Sequence, residues 1–150
     1  MRASRMEQLW AMFQIPNTPS YLNGAIDQAE AILRRLPANS PDLPVYLNKL
    51  SSMHAAEYKI TKSAAALDQA VELGLKAKAE AIAMGFPDHR KDVYLMILNG
   101  LGCSQSSRFH FHNLHQQQDL DDAIATARQL ISMTSEDSPL YAIALCNLTD

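Results

Sequence analysis

The sequence predicts an all-α protein: an α-solenoid of antiparallel helix pairs, about three repeats of roughly 45–53 residues. Three observations carry that expectation. One phrase recurs as Leu22-Asn23-Gly24-Ala25-Ile26, Leu67-Asp68-Gln69-Ala70-Val71 and Leu120-Asp121-Asp122-Ala123-Ile124. A second alternates with it, as Leu47-Asn48-Lys49-Leu50, Leu98-Asn99-Gly100-Leu101 and Leu145-Cys146-Asn147-Leu148. The chain also lacks any stretch with the two-residue apolar alternation of a half-buried strand. Leu22 to Leu67 is 45 residues and Leu67 to Leu120 is 53, while Leu50 to Leu101 is 51 and Leu101 to Leu148 is 47. Extra residues therefore fall in loops, mainly before Asp92 and Asp119.

Taken in order, Met6, Leu9, Trp10 and Phe13 form one helical stripe, ended by Pro16 and Pro19. Thr18 or Ser20 is suited to cap the next helix, Leu22–Leu36, whose stripe is Leu22, Ala25, Ile26, Ala29 and Leu33. Pro37, Pro41 and Pro44 stiffen the following loop. Leu43, Tyr46, Leu47, Leu50 and Met53 mark a helix over Leu43–Ile60. Ser63 is placed to cap an alanine-rich helix, Ala64–Met84, which Gly85 and Pro87 stop. Tyr94, Ile97, Leu98 and Leu101 mark Asp92–Phe111. After a polar loop, Asn113–Gln118, Asp119 is expected to cap Leu120–Met133. A final helix, Leu140–Asp150, carries Tyr141, Leu145 and Leu148.

In these pairs Met6–Phe13, Leu43–Ile60, Asp92–Phe111 and Leu140–Asp150 are first helices, and the others are second helices. Small residues coincide in the second helices: Ala25, Ala70 and Ala123, then Ala29, Gly74 and Ala127. They predict close helix contacts. One pair cannot bury its own stripe, so stacking must bury it against the next.

Composition narrows the function classes. The chain is 47% apolar and 19% charged, which suits one globular domain over residues 1–150. The longest apolar runs fall well short of the roughly 20 residues that cross a bilayer, and no signal-like segment opens the chain, so a cytoplasmic or nuclear protein is expected. Net charge is −3, with 2 basic and 6 acidic residues in the last 50. Without a block of Lys and Arg, nucleic-acid binding is not expected. Cys103 and Cys146 form no CxxC pair and read as reduced thiols.

The repeated phrases resemble the tetratricopeptide repeat superfamily, in particular the kinesin-light-chain-like subgroup. The long spacing is most similar to fungal repeats found upstream of caspase-like CHAT domains or in nucleotide-binding receptors. Ser107-Arg108-Phe109 and Asp119-Leu120-Asp121-Asp122-Ala123-Ile124 match best. The second unit departs: Glu57-Tyr58 stands for Arg-Phe, Ala66 stands for the acidic residue before Leu67, and the turn after Tyr58 lacks its usual glycine. The resemblance covers residues 20–150 and implies a concave groove, lined by first helices, that binds a peptide or partner helix. Carried over, the groove residues are Asn48, Ser52 and Ala56, with Asn99, Cys103 and Ser107. Asparagine is unfavourable inside a helix, so its reuse calls for a reason: contact with a ligand, or hydrogen bonds between neighbouring first helices.

Other chemistry is thin. His110, His112 and His115 lack further ligands at metal spacing, and a polar helix end explains them. Asp121, Asp122, Glu136 and Asp137 need no catalytic role, since acidic residues in a first helical turn favour the helix dipole. No Gly-rich phosphate loop and no nucleophile–base pair is present. The sequence thus predicts no enzyme, cofactor or metal, but a protein–protein interaction module. The alternative is a regulatory or sensing segment of a larger protein whose catalytic domain, of CHAT protease type, lies outside this chain. The last stripe ends without a covering second helix. Continuation in a longer solenoid is therefore expected, or self-association through the C-terminal edge.

Overall fold

A computed structural model of the chain describes residues 19–111 and 117–139, with side chains from 21–110 and 117–139. Six helices follow in order: α1 Pro19–Arg35, α2 Leu43–Thr61, α3 Ala64–Ala83, α4 Phe86–His89, α5 Lys91–Phe111 and α6 Gln117–Met133. Among the described residues there is no strand, and no helix is long and apolar enough to cross a membrane. The expected helix Met6–Phe13 and the C-terminal stripe of Tyr141, Leu145 and Leu148 lie outside the described residues, as does the capping role of Thr18.

Each long helix packs against its chain neighbours. The main contacts join α1 to α2, α2 to α3, α3 to α5, and α5 to α6, and α2 also touches α5. The expected stripes make these contacts. Leu22, Ala25, Ile26 and Ala29 of α1 meet Leu50 and Met53 of α2 in one buried cluster. Leu47, Ala77, Ala81, Tyr94, Ile97, Leu98 and Leu130 form another, drawing on α2, α3, α5 and α6.

Small residues set the helix separations. Ala29, Ala70 and Ala77 are fully buried and Ala127 is 3% exposed. Gly74 sits where three helices meet: a Cβ there would lie 3.0 Å from Leu101 Cδ1 and 3.5 Å from Ser51 Oγ. The Ser51 hydroxyl in turn donates to the Ala70 carbonyl at 2.6 Å. A polar side chain of α2 is thus buried with a partner, which is what burial of a hydroxyl requires.

Ser63 caps α3 as expected, its Oγ accepting from the Ala66 N–H at 3.4 Å. Two details differ from the sequence reading. The stop at Gly85 (φ +75°) does not open a plain loop: a single helical turn, α4, follows it. That turn drives Phe86 into the core, 3% exposed, beside Tyr94 and Leu130. The sixth helix starts at Gln117, so Asp119 lies inside its first turn and does not cap it.

The turn between α2 and α3 has no glycine, and Lys62 takes the left-handed conformation there (φ 59°) while its N–H bonds the Tyr58 carbonyl at 2.7 Å. Its ammonium lies 5.8 Å from the Tyr58 ring centre.

Two predictions follow from this geometry. Gly74→Leu is expected to cost about 1–3 kcal/mol by overpacking, read as a lower urea midpoint at unchanged slope. An unchanged midpoint would mean that α3 is rotated away from Ser51 and Leu101. At position 62, glycine is expected to be more stable than alanine by about 1 kcal/mol, because both lose the ring contact but only alanine keeps the left-handed strain. Equal midpoints for Lys62→Gly and Lys62→Ala would remove strain from the account of this turn.

Candidate functional site

The six groove candidates lie on α2 and α5, and Ala56 packs against the cluster that α1 and α2 share. Ser52 and Cys103 are exposed, while Asn48, Ala56, Asn99 and Ser107 are partly exposed. Ser52 and Ala56 are one turn apart on α2, as Cys103 and Ser107 are on α5, so each pair shares a face. Across the seam, a Cβ at Gly100 would lie 3.5 Å from Asn48 Oδ1. Asn48 is therefore turned to the neighbouring helix, and Gly100 keeps that seam narrow. Asn99 Oδ1 is buried and accepts no hydrogen bond. Met96 lies one turn before Gly100 and is 59% exposed. Of the six, Asn48 is the one placed at the seam between α2 and α5 by these contacts.

The remaining polar chemistry sits between paired helices. Gln105 and Thr126 are both buried, and the Thr126 hydroxyl donates to Gln105 Oε1 at 2.8 Å. A Cβ at Gly102 would lie 3.3 Å from Thr126 Cγ2, so the absence of a side chain there admits the pair. Arg108 reaches Asp119 through both Nε (2.9 Å) and Nη2 (2.6 Å), and Asp68 of α3 through Nη1 (3.3 Å). Asp119 is 5% exposed, and this guanidinium compensates the burial of its carboxylate. Asp68 is half exposed, and that arm of the triad contributes less. Tyr94 is buried, and its phenol is pushed up by that burial, which a hydrogen bond donated by Gln129 Nε2 (3.0 Å) opposes.

The acidic pair Asp121 and Asp122 is engaged locally, by Gln117 at 3.2 Å and Gln118 at 2.7 Å. His110 is exposed and stacks edge-on to Phe109, at 5.4 Å between ring centres. His112 and His115 lie outside the described residues. Among the described residues no three His, Cys, Asp or Glu side chains are gathered as metal ligands. Sequence reasoning had singled out Arg108 as part of a phrase but missed its bond to Asp119. It also missed Gln105–Thr126 and Tyr94–Gln129, which lie 21 and 35 residues apart.

No protein-family model matches the chain, and no curated protein or solved structure matches it.

Arg108→Ala is expected to lower stability by about 2–3 kcal/mol, because it leaves the Asp119 carboxylate buried without its guanidinium. Adding Asp119→Ala should then recover part of the loss, giving a double-mutant cycle in which the two changes are less than additive. Additive losses would mean that the two side chains act separately.

Proposed function

We propose that this chain is a short α-solenoid of tetratricopeptide type whose first-helix face binds a peptide or partner helix, and that it performs no catalysis itself. The observation that carries the reading is the juxtaposition of α2 and α5. They touch at Asn48 and Gly100, and Ser52 on α2 and Cys103 on α5 are exposed. The order of contacts supports the stacked arrangement: α2 meets α5, while the second helices α1, α3 and α6 make no extensive contact with one another. A strip of small, uncharged side chains suits an incoming backbone. It loses little hydration on contact, and its hydroxyl and amide groups offer donors and acceptors.

The test is capture with a photo-cross-linker carried on Cys103 in a Cys146→Ser background. Ser52→Arg, across the seam, should reduce the cross-linked partner at least tenfold. Leu75→Arg, on the exposed side of α3, should leave it unchanged. Loss with Leu75→Arg and none with Ser52→Arg would move the binding face to the second helices and overturn the proposal.

A further inference from the structure

The second and third units differ at one corner, where a first helix turns into its second. In the third unit that corner is filled by Arg108 and its acidic partners Asp119 and Asp68. One repeat earlier, the corresponding positions are Glu57 and Ala66 of the second unit and Asn23 of the first. The charge on the first helix is inverted, and both acids are gone. A shorter side chain and a lost carboxylate leave space. A shallow, open recess of about 350 Å³ lies there, lined by His54, Glu57, Thr61, Ser63, Ala66 and Gln69 among others.

The polar groups on its wall are unevenly used. The Thr61 hydroxyl donates to the Glu57 carbonyl at 2.9 Å and accepts from the Ser63 N–H at 3.2 Å. Ser63 Oγ accepts from Ala66 N–H. Among the described residues, the Glu57 carboxylate has one side-chain partner, His54 Nδ1 at 3.1 Å on its own helix, through Oε1. Its side chain is 28% exposed and forms part of the wall of this recess.

From this we infer that the α2–α3 corner is a receptor for an arginine side chain supplied by a partner protein, whose guanidinium occupies the space that Arg108 fills in the next unit. A carboxylate in a recess favours the planar, multi-donor guanidinium over a point-charge ammonium, since it bonds two N–H groups at once. Two features oppose a cation here, the positive end of α3 and the nearby Lys62. The Lys62 ammonium is turned onto the Tyr58 ring. The dipole end acts mainly through N–H groups of the first turn, one of which Ser63 already satisfies. The corner faces α3, whereas Ser52 lies on the exposed side of α2, so this receptor is separate from the strip proposed above.

The probe is N-acetyl-arginine amide, titrated into the full ¹⁵N-labelled chain while the amides of Ser63, Ala65, Ala66 and Gln69 are followed. Saturable shifts at millimolar concentration are expected, with affinity at least tenfold weaker for the uncharged isostere N-acetyl-citrulline amide. Glu57→Gln should abolish them while the rest of the spectrum is unchanged. A second variant, Glu57→Arg with Ala66→Asp, rebuilds the third-unit corner, and it should stay folded and lose arginine binding. Shifts that do not saturate, that are equal for citrulline, or that persist in Glu57→Gln would overturn the inference. Free L-arginine bound tenfold more tightly than the blocked form would also overturn it, because a site for the free amino acid is not a docking site for a side chain.

Discussion

How closely α3 approaches α2 and α5 is the constraint on which the other contacts depend. Any side chain at position 74 would enter the space of Leu101 and Ser51. With none there, Ser51 reaches the Ala70 carbonyl, and Leu101 closes over α3 at 1% exposure. The apolar stripes of three helices are then buried by one another, and no helix pair needs a core of its own. Leu47 of α2 and Leu98 of α5 share a cluster with Ala77 and Ala81 of α3, so what the glycine permits at one point is continued by alanines along the helix. Glycine lowers helix propensity by about 1 kcal/mol relative to alanine, and the close packing it admits offsets that loss.

Around this common apolar framework, the polar contacts differ from unit to unit. The position of Ser51 in the second unit is Gly102 in the third, and that of Gly74 is Ala127. The space is allotted differently: in one unit the first helix supplies a hydroxyl against a glycine, in the other a glycine admits Thr126 and its bond to Gln105. His54 takes the place of Gln105, and Glu57 that of Arg108. In the second unit these bond each other along one helix. In the third their counterparts bond across to α6, and to α3. Apolar contacts are nearly indifferent to which helix lies next, whereas such directional pairs are not. They therefore contribute to fixing each helix against its proper neighbour, as buried polar groups do where geometry satisfies them.

Much of the helical framework was legible because it rests on periodicity. Apolar and small residues spaced three and four apart marked the buried sides of α1, α2, α3 and α5, and Ser63 announced a helix start by its chemistry alone. Phe86 was not legible: one aromatic between Gly85 and Pro87 has no periodic partner, and only the three-dimensional path of α4 carries it inward. Lys62 violates the usual preference at a left-handed position, so a reading that expected glycine could note the missing residue but not the strain. Asp119 looked like a cap because acidic residues favour helix starts. Its bond to Arg108, eleven residues earlier, depends on how α5 and α6 pack, which no local pattern encodes. Of the candidate groove, the shared faces were legible from four-residue spacing. That Asn48 abuts Gly100, and that Asn99 Oδ1 is buried, depended on the separation of α2 and α5.

That separation bears on what a partner would meet. Charged side chains are dispersed over the chain, yet Ser52 on α2 and Cys103 on α5 are exposed and uncharged, and Gly100 keeps the seam between these helices narrow. A charged row would hold its hydration and resist an apolar or main-chain ligand unless each charge found a counterpart. Small neutral residues avoid that desolvation, and they let a ligand backbone lie close to the helices. Selectivity would then have to come from larger side chains nearby: Met96, 59% exposed on α5, and those of the recess at Glu57 on α2. A neutral strip for contact and a separate acidic recess for one arginine would distinguish partners better than either alone, because a ligand must match both the path of the helices and the position of one charge.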